Sequence, residues 1–107
     1  MAEPEYFDVG PAAELPPGGM RRYVVDGVPI AVYHVAGRFY ATDDTCTHAE
    51  ASLSEGELDC ERREVECPLH GARFSIETGE VRAMPASTPV RTYPVRIQDG
   101  RLLVGLR

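Results

Sequence analysis

The chain has 107 residues, 43% of them hydrophobic, with ten Gly, nine Pro and no Trp. That length suits a single domain spanning 1–107 with a real apolar core, and the Gly and Pro content favours a turn-rich β protein. The net charge is −6 and all 11 basic residues are Arg, which excludes Schiff-base lysine chemistry and makes nucleic acid or an anionic membrane surface a poor partner.

Residues 1–10 carry Glu3, Glu5 and Asp8, where a secretory leader needs positive charge and then an apolar run, so no leader is expected. An opening strand is predicted at 6–9, followed by a loop through Pro16-Pro17-Gly18-Gly19. Two β-rich runs, 21–25 and 28–35, flank Asp26-Gly27, a strong hairpin signal. The stretch 28–36 is the most apolar in the chain and far too short to span a bilayer. Ala36-Gly37 turns the chain into 38–41. A short helix is expected within 49–56. Residues 73–76 and 80–83 flank Thr78-Gly79, and 90–97 and 101–106 flank Asp99-Gly100, giving two more hairpins. The result is an all-β chain of short antiparallel strands, with no internal repeat evident.

Between the strands lie two short loops, 43–52 and 67–72. They carry Cys46-Thr47-His48 and Cys67-Pro68-Leu69-His70. Side chains two residues apart on extended backbone point the same way, so one loop can present both a thiolate and an imidazole. Pro68 stiffens its loop, and Gly71 lets the backbone pass close to a bound group. Neighbouring N–H groups can then face an anionic cluster. Such a set can hold zinc, or a Rieske [2Fe–2S] centre in which two Cys bind one iron and two His the other. Zinc fingers usually pair Cys with Cys and His with His along the chain, whereas here they alternate. Three Cys, two of them committed to ligation, argue against a disulfide framework and for a reducing cytoplasm.

The runs from Cys46 to Leu53 and from Cys67 to Phe74, followed by Thr78-Gly79 and Pro85, resemble the Rieske-type ferredoxins of bacterial aromatic-ring dioxygenase systems. The resemblance covers nearly the whole chain and carries all four ligand positions in order. The spacer 49–66 is about one residue longer than the usual motif, which is read as an insertion near Cys60. The resemblance implies a basal antiparallel β-sandwich with a smaller cluster-binding subdomain. It implies one [2Fe–2S] cluster held by Cys46, His48, Cys67 and His70, with the imidazoles at the exposed tip. It further implies a soluble, monomeric, low-potential carrier that takes electrons from a flavin-dependent ferredoxin reductase to a terminal oxygenase.

Respiratory Rieske proteins carry two further Cys and a Ser and a Tyr near the cluster; the corresponding positions here are Ala51, Leu69, Ala72 and Phe74. Fewer hydrogen bonds to cluster sulfur imply a potential at the low end of the Rieske range, about −150 mV. Exposed imidazoles imply a potential that falls at alkaline pH. An oxygenase's own mononuclear iron would need two more His and a carboxylate. Only His34 remains, so the chain is expected to have no substrate site.

His34 reads as an ordinary strand histidine and Cys60 as a bystander thiol. Residues 50–66 hold seven acids and two Arg, either a solvated loop or a docking face for a basic partner. Two other functions remain open. One is a Rieske-like small subunit of a nitrite reductase; the other is a zinc-stabilised interaction module.

Overall fold

The computed structural model describes residues 4–47, 50–69, 71–84, 86 and 88–106. Eleven strands run through them: β1 Glu5–Pro11, β2 Met20–Val25, β3 Val28–Val35, β4 Arg38–Asp43, β5 Glu57–Asp59, β6 Glu64–Glu66, β7 Arg73–Ser75, β8 Val81–Ala83, β9 Thr92–Tyr93, β10 Val95–Gln98 and β11 Arg101–Leu106. They form three antiparallel sheets, β1-β11-β10, β2-β3-β4-β9 and β5-β6-β7-β8. No helix among the described residues is long and apolar enough to cross a membrane.

The hairpins expected at Asp26-Gly27, Thr78-Gly79 and Asp99-Gly100 form, as does the turn at Ala36-Gly37; at Thr78-Gly79, which joins β7 to β8, only Gly79 has positive φ. Asp26-Gly27, Ala36-Gly37 and Asp99-Gly100 each place two successive residues at positive φ, between 51° and 81°, the backbone of a type I′ hairpin turn. The expected helix in 49–56 is a single 3-10 turn, Leu53–Glu55.

β3 explains why 28–35 is so apolar. Its side chains alternate between two cores, as strand geometry requires. Ile30 and Val32 face Ala41, Tyr93, Leu102, Val104 and Leu106 between the two basal sheets. Ala31, Tyr33 and Val35 face a second core that contains Cys46, Leu53, Val65, Cys67, Ala72, Phe74 and Ile76. A strand walled on both faces reads as continuous rather than alternating hydrophobicity. β3 thus joins the basal sandwich to the end carrying the two loops. The buried Tyr33 hydroxyl is paired with Thr42 Oγ1 at 2.9 Å, and burial pushes its phenol far up. The Tyr93 phenol donates to Asp43 Oδ1 at 2.5 Å, and burial, with that carboxylate, pushes it up to about 12.

Two expectations need correction. The run 90–97 is not one strand. Pro94 has no N–H for a ladder, and the chain changes partner there: β9 pairs with β4 and β10 with β11. The acidic spacer is not an irregular loop either. It is a hairpin, β5–β6, with Leu58 opposite Val65. The charged residues concealed it, because each strand has three residues and one inward apolar side chain at its centre. Cys60 lies exposed in the turn between them, where Asp59 Oδ1 accepts from the Glu61 and Arg62 N–H groups. An extra residue near Cys60 would lengthen a turn at the far end of the hairpin from Cys67.

His34 keeps the role expected of it. Its Nδ1–H donates to the Leu15 carbonyl at 2.8 Å, since a carbonyl can only accept. Its ring stacks on Phe39 with centroids 4.0 Å apart.

Candidate metal centre

Cys46 ends the stem that leaves β4, and Cys67 follows β6. Both are buried, at 4% and 1% exposure, within one apolar core. Neither is in a disulfide. His48 and His70 lie outside the described residues.

The two loops share one backbone plan. Thr45 bridges Ser52 in the first, and Glu66 pairs with Arg73 in the second. Inside each pair, the Cys N–H donates to the carbonyl five residues on, Cys46 to Ala51 at 2.9 Å and Cys67 to Ala72 at 2.7 Å. The residues after each loop, Leu53 and Phe74, are both fully buried. All these pairs are offset by the same 21 positions. The two loops are therefore structural twins, a repeat the sequence alone did not reveal because between 45–53 and 66–74 only Cys and Ala coincide. Twin loops that bury a thiol at the same point can bring two thiolates to one metal atom.

Gly71 has φ +76, and a Cβ there would meet nothing nearer than Glu66 Oε2 at 3.9 Å. Its requirement is thus conformational: it turns the loop so that its N–H reaches the Cys67 carbonyl at 3.2 Å.

A third segment closes over this end. Ala86 and Val90 pack into the core that holds both cysteines. The Thr47 hydroxyl, from within the first loop, donates to the Thr88 carbonyl at 2.7 Å. Val90 N–H donates to Gly79 O at 2.9 Å. Two large apolar side chains on these segments face solvent, Leu69 at 58% and Met84 at 85% exposure.

The sequence matches the Rieske [2Fe-2S] domain over residues 5–94. The chain belongs to the Rieske family. A curated relative is the 3-phenylpropionate/cinnamic acid dioxygenase ferredoxin subunit of Photorhabdus laumondii, 47% identical over 85% of this chain and 85% of its own length. Among solved structures, the ferredoxin of carbazole 1,9a-dioxygenase from Nocardioides aromaticivorans IC177 superposes with a TM-score of 0.91. It is 36% identical, covering 99% of this chain and 100% of that one. A ferredoxin chain in a complex of reduced oxygenase and oxidized ferredoxin in carbazole 1,9a-dioxygenase superposes at 0.86 with 42% identity, over 94% of this chain and 92% of that one.

A Rieske domain carries a [2Fe–2S] cluster, and the described residues fit one. Two buried thiols outside any disulfide sit at the same point of twin loops. Ala72 and Phe74, both fully buried, bring no hydroxyl to the second loop.

On the neighbouring sheet, an open groove of about 450 Å³ is walled by Glu57, Asp59, Glu61, Glu64, Glu66 and Arg73. Arg73 lies 2.9 Å from Glu66, 3.8 Å from Glu64 and 4.0 Å from Asp59, and Arg82 is shared between Glu64 and Glu80. The six carboxylates named, Glu57, Asp59, Glu61, Glu64, Glu66 and Glu80, against the guanidiniums of Arg73 and Arg82 leave this face negative. Sequence reasoning overlooked a further residue, Asp44. It is 1% exposed, ion-paired to Arg22 and hydrogen-bonded to the far side of the first loop. Nothing in its sequence neighbourhood distinguishes it from the adjacent Asp43.

Proposed function

We propose that this chain is a one-electron carrier that takes electrons from a flavin-dependent ferredoxin reductase to the terminal oxygenase of a multicomponent dioxygenase. Cys46 and Cys67 hold one iron and His48 and His70 the other. The observation that carries this reading is the pair of twin loops, each burying one thiol, in a chain whose relatives are dioxygenase ferredoxins. When bound, the cluster takes up and gives back one electron. The protein encloses the thiolate side in an apolar core, and turnover takes place on the partner. The chain acts as a single cytoplasmic domain, 1–107, and as a monomer.

The spectrum of the purified protein tests the cluster. A visible absorption band and a reduced-state EPR signal with the lowered average g-value of mixed Cys/His ligation are expected; a colourless zinc protein would overturn the reading. The potential is expected near the low end of the Rieske range, about −150 mV. Ala72 and Phe74 offer no hydroxyl to cluster sulfur, and such hydrogen bonds stabilise the more negative, reduced state. A value above roughly +100 mV contradicts this. A nitrite reductase small subunit would instead copurify with a large sirohaem protein.

The negative β5–β6 face supports a docking role toward a basic partner surface. Charge steering raises association rates by on the order of 10-fold or more and is screened by salt. The second-order rate of reduction by the reductase, or of oxidation by the oxygenase, is expected to fall about 10-fold from low to high ionic strength. The Glu57→Gln and Glu61→Gln double variant should flatten that dependence. A rate indifferent to salt would remove the docking role while leaving the carrier intact.

A further inference from the structure

We propose that Asp44, paired with Arg22, both fastens the first cluster loop and holds the reduction potential of the cluster down by its buried charge. This rests on the cluster reading given above.

Asp44 uses every polar group it has. Its N–H donates to Pro29 O at 3.1 Å, and its carbonyl accepts from Leu53 N–H at 2.6 Å. Oδ1 accepts from Ser54 N–H at 3.0 Å, and Oδ2 lies 3.2 Å from Arg22 Nε. One residue thus ties the outgoing strand, the returning chain and β2 of the basal sandwich together.

The twin loop shows that fastening alone does not require a charge. Twenty-one positions on, the matching residue is Val65, which is fully buried and faces Phe74 across a regular β6–β7 ladder. That stem is closed by backbone bonds and apolar packing. In the first loop the same place holds a carboxylate, and burying a carboxylate is costly unless it is paired and hydrogen-bonded.

The charge lies close along the chain to a proposed ligand. Asp44 is two residues from Cys46, so their Cα atoms are at most about 7 Å apart. Charges buried in protein are screened far less than exposed ones. Reduction adds one negative charge to the cluster, so a buried carboxylate beside it raises the free energy of the reduced state and lowers the potential. Arg22 offsets this only in part. Its side chain is 49% exposed against 1% for Asp44, and solvent weakens its field more.

The electrostatic role has a signature that a purely structural role lacks. Asp44→Asn keeps a carbonyl oxygen for Ser54 N–H and removes the negative charge. Arg22→Gln removes the positive charge and leaves the carboxylate. Potentials of wild type, the two single variants and the double variant are measured by dye titration or film voltammetry on the full chain, with iron per chain determined in parallel. Asp44→Asn is expected to shift the potential positive, Arg22→Gln to shift it negative, and the double variant to lie between. A zero or negative shift in Asp44→Asn, or a zero or positive shift in Arg22→Gln, overturns the proposal, because breaking one shared contact from either side cannot give opposite signs. Wild-type protein without iron would instead strike at the cluster reading itself.

Discussion

Cys67→Ser is expected to yield protein with no visible cluster absorption, less than a tenth of the wild-type iron and a markedly lower melting temperature. Cys67 is 1% exposed and sits among Val65, Ala72 and Phe74. A serine oxygen at that point is a poor replacement for thiolate as an iron ligand. It is also a hydroxyl in an apolar core, which costs about 1–3 kcal/mol when left without a partner. In a domain of this size about 1 kcal/mol moves Tm by about 4–8 °C. The metal-free variant should thus melt at least about 5 °C below the metal-free wild type. The cluster-loaded wild type should stand higher again, because metal bound only to the native state adds directly to its stability. Cys46→Ser should behave in the same way, its loop having the same plan. Cys60→Ser is the control. That thiol lies exposed in the β5–β6 turn, and both iron content and Tm should be unchanged. If Cys67→Ser kept full iron, the thiolate assignment would be wrong whatever the family.

The hairpins and the order of the Cys and His residues were legible in the sequence for local reasons. Asp-Gly and Ala-Gly pairs state a positive-φ turn without reference to the rest of the chain, and the turns at 26–27, 36–37 and 99–100 carry that backbone. The candidate thiols could be singled out because ligand chemistry depends on residue type and spacing, and both lie buried in one core. What was not legible depends on partners distant in sequence. β5 and β6 each present one inward side chain, Leu58 and Val65, too few to declare a period of two. The break at Pro94 becomes necessary only when two sheets compete for the same segment. Asp44 looks like any loop acid until Arg22 and Ser54 are folded against it. The twin loops share a hydrogen-bond plan rather than a residue pattern, so they became visible only in the backbone.

The same non-local logic singles out Gly79, which the sequence offered merely as a turn residue. Gly79→Ala is expected to destabilise the protein by about 3 kcal/mol or more, through two separate penalties. Its φ is +80°, where an L side chain is strained, and a Cβ would lie 2.0 Å from Val90 O and 3.2 Å from Thr92 Cγ2. No rotamer relieves the first contact, because the obstacle is backbone. Val90 would have to withdraw, breaking the bond from its N–H to Gly79 O. Val90 is 3% exposed and packs into the core that holds Cys46 and Cys67. Loosening it should therefore open the cluster end to solvent as well as weaken the fold. Gly100→Ala separates the two penalties. Gly100 has φ +74 but nothing within 4 Å of its would-be Cβ, so only the backbone strain, about 1 kcal/mol, is expected there. Denaturant melts should place Gly79→Ala well below Gly100→Ala in midpoint, with cluster bleaching in air accelerated in Gly79→Ala alone. Equal destabilisation of the two variants, with equal bleaching, would mean that Val90 is not held by this close approach and contributes nothing to sheltering the metal centre.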